Sequence, residues 1–119
     1  MKNNVVKNKS FDFALRIVKM HEFLCEHKKE FVLSKQLLQS GTAIGILVRE
    51  AEQEESKADF IHKMAIALQK ANVTEYWIEL LFQSNYIDET EYNSTKTDLT
   101  EILKLLTSII KTTKYNTKK

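Results

Sequence analysis

The chain has no proline and only two glycines, Gly41 and Gly45, in 119 residues. Average usage is about 5% and 7%. Turn-rich β architectures need those residues at their many reversals, so an all-β fold is disfavoured. A single cysteine, Cys25, excludes an internal disulfide. Nothing near Met1 has the basic, apolar, small-residue order of a secretory leader, and the expectation is a reducing, cytoplasmic setting. No apolar run approaches the roughly 18 residues of a membrane span, so no membrane association is predicted. What is present is enough chain for one domain with its own core, 43% hydrophobic and 29% charged.

Charge is unevenly placed. Lys2, Lys7 and Lys9 precede the first acidic residue, Asp12, and Lys111, Lys114, Lys118 and Lys119 follow the last, Glu101. The other eleven basic residues accompany all sixteen acids, so the body carries −5 and the ends +7. Basic ends hold a polyanion by releasing its counterions, but short Lys/Asn/Thr ends more often serve solubility, and no arginine is interleaved here.

Apolar residues recur at three- and four-residue steps in four stretches. The first runs from an N-cap at Ser10 to about Lys28, through Ala14, Ile17, Met20, His21, Leu24 and Cys25. The second starts after Ser34, read as an N-cap, and carries Leu37, Leu38, Gly41, Ile44, Gly45, Val48 and Ala51. The third opens with Ser56-Lys57-Ala58-Asp59, a capping-box pattern, and reaches about Phe82. Asp88-Glu89-Thr90-Glu91 opens the fourth, which shows Tyr92, Leu99, Ile102, Leu103, Leu106, Ile109 and Ile110. Short connections make neighbours antiparallel, so the expected fold is an all-α, up-down-up-down four-helix bundle over residues 11–111, with basic tails at 1–10 and 112–119.

The apolar surface exceeds what one bundle needs. Thr42 to Val48 is apolar nearly all round, and the third helix, from Phe60 to Leu68 and again around Trp77, leaves few solvent directions. A second buried face, and hence a homo-oligomer, is the reading of that excess. Gly41 and Gly45 admit a close helix approach, within the chain or across an interface. Arg49 and Glu75 lie near opposite ends of the bundle, too far apart to pair within one chain, but free to meet across an interface.

Candidate chemistry is sparse. Asp59-Phe60-Ile61-His62 is a single acid-x-x-His without the second motif of a di-iron bundle. His21 and Cys25, four apart, offer two metal ligands with no evident third, and a packed histidine beside a buried thiol is the simpler reading. Glu75 and Glu79 lie beside the apolar stripe as a carboxylate pair, more simply structural ion pairs than an acid/base device. No catalytic residue, metal or cofactor is therefore assigned.

At Ser40-Gly41-Thr42-Ala43-Ile44-Gly45 with Arg49-Glu50-Ala51, at Ser56-Lys57-Ala58-Asp59-Phe60-Ile61, and at Glu75-Tyr76-Trp77-Ile78-Glu79-Leu80-Leu81, the chain resembles the four-helix-bundle proteins encoded within 23S rRNA intervening sequences. The resemblance runs from Phe11 to Ile110, and departs at Leu47, where Asn is common, and at Ala43, where Ser is frequent. It implies a ring-forming homo-oligomer, a pentamer, without enzymatic activity. A similar pentameric bundle, the accessory variability protein of diversity-generating retroelements, associates with nucleic acid; this is fold-level analogy. The resulting expectation is a non-enzymatic homo-oligomer, with Gly41, Ile44, Gly45, Arg49, Glu75, Trp77 and Glu79 in packing or subunit contacts. RNA is the expected partner of the terminal lysines. The alternative is a scaffold that binds a partner protein through the face of the second and third helices.

Overall fold

The computed structural model describes residues 2–118, with side chains described for 5–116. Four helices follow one another: α1 Lys2–His27, α2 Leu33–Glu52, α3 Lys57–Gln83 and α4 Glu89–Lys118. Each packs on its chain neighbours and α4 closes back on α1, while among the described residues the backbones of the diagonal pairs α1/α3 and α2/α4 stay apart. This is the expected square, antiparallel bundle, 52 × 22 × 20 Å along its principal axes. Its core is a column of fully buried side chains, among them Phe13, Ile17 and Leu24 of α1, Leu37 and Ile44 of α2, Met64, Ile78 and Leu81 of α3, and Leu99, Ile102 and Leu106 of α4.

The helix limits differ from those read off the sequence. α1 does not begin after Ser10: that residue is buried within the helix, and its hydroxyl donates to the Lys7 carbonyl at 3.1 Å. The apolar stripe continues upstream to Val6, which is fully buried, so the first residues have a core to pack on. Likewise α4 does not stop near residue 111 but continues to Lys118. The two segments expected to be basic tails are thus helical over their described parts.

Ser34 is not the cap of α2 either. The carboxylate of Glu30, a buried residue in the preceding turn, accepts the amides of Val32, Leu33 and Ser34 at 3.2, 3.0 and 2.7 Å, while the Ser34 hydroxyl donates to the Glu30 carbonyl at 2.8 Å. One acid thereby satisfies three of the four orphan amides of a helix start. Burial pushes the Glu30 carboxyl up, but the amides of Leu33, Ser34 and Val32 and the Ser34 hydroxyl outweigh it and hold the group below its ordinary value. The other two starts are as read: Ser56 accepts the Asp59 amide at 3.1 Å, and Asp88 that of Glu91 at 2.8 Å. With little glycine available, Lys29 and Asn85 take the left-handed turn positions, at φ 53° and 67°. At Asn85 the bonds Tyr86 N–H to Leu81 O and Asn85 N–H to Phe82 O complete a Schellman closure of α3.

Candidate functional site

The predicted site residues separate into core, lock and surface. Ile44 is fully buried within the bundle. Both glycines face α1: a Cβ on Gly41 would stand 2.9 Å from Ile17 Cγ1, and one on Gly45 would stand 3.5 Å from the Ser10 carbonyl oxygen. They serve the α1–α2 approach inside one chain. Trp77 is half-buried against the core, with Tyr76 edge-on at 5.3 Å.

Glu79 belongs to a lock between α3 and α4. Its Oε1 accepts the Tyr92 hydroxyl at 2.6 Å and lies 3.7 Å from Lys96 Nζ, its Oε2 accepts from Gln83 at 3.0 Å, and Lys96 donates to Tyr92 Oη at 3.0 Å. Tyr92 in turn stacks on Phe82, with ring centroids 4.2 Å apart and 10° between planes. The Tyr92 hydrogen bond, then that of Gln83, lowers the Glu79 carboxyl from its ordinary value, and the Tyr92 contact raises the Lys96 ammonium. A carboxylate held ionised in this way is poorly suited to proton transfer near neutral pH, where a raised value is required. Glu75 adds its charge to the Lys96 environment from the next turn of α3. Arg49 stays exposed, with its guanidinium 5.1 Å from the centre of the Phe11 ring.

Cys25 Sγ lies 3.5 Å from His21 Nε2 and 3.8 Å from Ser34 Oγ, a half-buried cluster tying the end of α1 to the start of α2. Among the described residues, no group of three or more His, Cys, Asp or Glu side chains is placed to hold a metal ion. No described helix is long and apolar enough to cross a membrane.

The terminal lysines divide. Lys7 lies 3.7 Å from Glu52 and Lys9 3.1 Å from Glu101, both in ion pairs that fasten the start of α1. Lys111 and Lys114 are exposed on α4. The side chains of Lys2 and Lys118, and all of Lys119, lie outside the described residues. Along the seam between α1 and α4, Arg16 reaches Asp98 at 2.8 Å and Glu91 at 3.2 Å.

Among the described residues, apolar side chains are exposed at the α1–α2 turn, at Phe31 and Val32, and along the outer faces of α1 and α3. On α1, Phe11, Leu15 and Val18 are 47%, 48% and 39% exposed, and Ile46 of α2 is exposed as well. Their i, i+4, i+7 spacing was legible in the sequence but hidden behind the stronger stripe on the helix's other side. On α3, Val73 and Tyr76 project beside Ala65, Ile66, Leu68, Gln69 and Asn72 along a shallow groove.

These features define a four-helix bundle whose polar clusters lock one helix to the next and whose outer faces carry the unpartnered surface. The chain belongs to the 23S rRNA-intervening sequence protein family, whose family model matches residues 2–108. It is similar to a protein of unknown function from the S23 ribosomal protein family of Bacteroides thetaiotaomicron VPI-5482, solved by crystallography at 1.70 Å. The two are 59% identical, with a TM-score of 0.92, over 93% of this chain and 99% of that one. No curated protein sequence matches.

Proposed function

We propose that the protein is a non-enzymatic homo-oligomeric ring, a pentamer as the family resemblance implies, that presents basic surface to RNA in several copies. The observation that carries the ring is the placement of the apolar surfaces on α1 and α3. α1 and α3 are diagonal in the square, and each patch lies on the side of its helix away from the core, so the patches lie on different sides of the bundle. Two unlike surfaces on different sides favour a head-to-tail contact, which generates rings or filaments.

Height along the bundle favours the ring. The contacts Arg49–Phe11 and Gly41–Ile17 set α2 against α1, while Glu50–Lys63 and Ser40–Thr74 set α2 against α3. Through α2, residues 65–76 of α3 therefore stand level with roughly residues 10–21 of α1, a stretch that includes Phe11, Leu15 and Val18. Joining the patches needs little translation along the bundle axis, and such a contact closes into a ring when the rotation between neighbours is a whole fraction of a turn.

The charge distribution supports the binding role, since weak phosphate contacts repeated around a ring act together where one alone fails. Light scattering is the direct test. The expected mass is about five times the 13.9 kDa chain, stable to salt, with Leu15→Lys reducing it to one chain that remains helical. A wild-type monomer would overturn the ring and favour a partner polypeptide on the α2/α3 face instead.

A further inference from the structure

The acids and bases of α4 are sorted onto different sides. Glu91, Asp98 and Glu101 lie along the edge beside α1, where Arg16 and Lys9 pair with them. On the outward face, from Asn93 through Thr97, Thr100, Lys104, Thr107, Ser108 and Lys111 to Lys114, Glu101 borders the upper part beside Thr97, Thr100 and Lys104, where Lys9 pairs with it, and the groove below, from Lys104 to Lys111, is lined by no carboxylate. At 1.5 Å per residue the face is about 30 Å long, with Lys104 and Lys111 two turns apart on one line. Among the described residues Lys104, Lys111 and Lys114 have no acidic partner, and the hydroxyls of Thr100, Ser108 and Thr112 make no hydrogen bond. A shallow groove runs between Lys104 and Lys111, lined by those three hydroxyls and Thr107.

We infer that this face of α4 is a phosphate-tracking surface for the backbone of an RNA duplex. The chemistry is complementary on three counts. Ammonium groups and free hydroxyls are the usual side-chain partners of phosphate oxygens, and they position a nucleic acid without reading its sequence. Hydroxyls that both donate and accept suit the 2′-OH groups displayed in the broad minor groove of A-form RNA. A single-strand binder stacks successive bases on aromatic rings, whereas this face has one aromatic, Tyr115, at its far end. In the proposed ring the contacts use the outer faces of α1 and α3, which leaves α4 uncovered. The inference rests on the RNA part of that reading, and moves the site from the two basic ends expected from sequence to one face of α4 that contains Lys104 and Lys111.

The test uses the full chain at about 50 mM salt, with a 24-base-pair RNA duplex of arbitrary sequence, the matching DNA duplex, and one RNA strand alone. Wild type should bind the RNA duplex best, with affinity falling steeply as salt rises. Lys104→Glu/Lys111→Glu should weaken that binding by roughly tenfold or more and flatten the salt dependence. Solution mass and helicity, measured in parallel, should be unchanged, because neither lysine makes an ion pair in the bundle. Lys104→Gln/Lys111→Gln should show a smaller loss. If the double variant binds like wild type, with the same salt dependence, the α4 surface is refuted and the basic-end reading stands. If wild type retains no nucleic acid, both fall. Equal or tighter binding of the DNA duplex or the single strand overturns the assignment to duplex RNA.

Discussion

Removing the carboxylate of Glu30 should be among the more damaging single changes outside the apolar core. Glu30→Ala strips the acceptor from three amides at once, and one of these belongs to Ser34, which is fully buried and loses access to a replacement water. Loss of an ordinary helix cap costs about 1 kcal/mol. An unmet buried amide adds about 2 kcal/mol, which brings the expected total to about 3 kcal/mol. For a chain of this size that corresponds to a fall of roughly 12 °C in Tm, at about 4 °C per kcal/mol.

Glu30→Gln keeps one carbonyl acceptor but neither the charge nor the second oxygen, and should cost about 1 kcal/mol. The pH dependence separates the cap from generic packing. Because the folded-state value of Glu30 is lowered, its contribution is complete above the unfolded value near 4.5 and is lost as pH falls through the folded one. The gap in urea stability between wild type and Glu30→Gln should therefore be constant from pH 6 to 8 and narrow below about pH 4.5. Far-UV circular dichroism is the assay. A Glu30→Ala variant within 2 °C of wild type, or a gap that persists unchanged to pH 3, would refute the capping role.

The two glycines should respond oppositely to alanine. At Gly41 the new methyl meets Ile17, a fully buried and stiff β-branched side chain, so overpacking of about 1–3 kcal/mol exceeds the helix-propensity gain of up to about 1 kcal/mol. At Gly45 the nearest atoms are at ordinary contact distance, and Gly45→Ala should stabilise by up to about 1 kcal/mol. Urea melts that rank Gly41→Ala above Gly45→Ala would contradict this geometry. Tyr92→Phe keeps the ring stacked on Phe82 but deletes the hydroxyl, so the Glu79 carboxyl should titrate higher, toward its ordinary value, and Lys96 lower. An unshifted Glu79 carboxyl resonance in an NMR titration would show that the lock is held by other contacts.

Helix number, antiparallel order and most of the core were legible in the residue pattern, because a 3.6-residue apolar period and a local cap are properties of neighbouring residues. Ser56 and Asp88 illustrate this: each bonds an amide three residues away. Ser10 and Ser34 looked equally local and were misread, because residue type alone does not reveal that Val6 extends the core upstream or that Glu30 occupies the cap first. The absence of proline and shortage of glycine, the four amphipathic stretches and the family resemblance sufficed for fold and family. Which lysines are free depended on the tertiary structure. Lys7 and Lys9 belong to the basic end by position, yet acids distant in the chain hold them, whereas Lys104, grouped with the acidic body by its place in the sequence, borders a groove lined by hydroxyls and Lys111. Ion pairing and exposure are set by which helix faces meet, and that is decided only when the bundle closes.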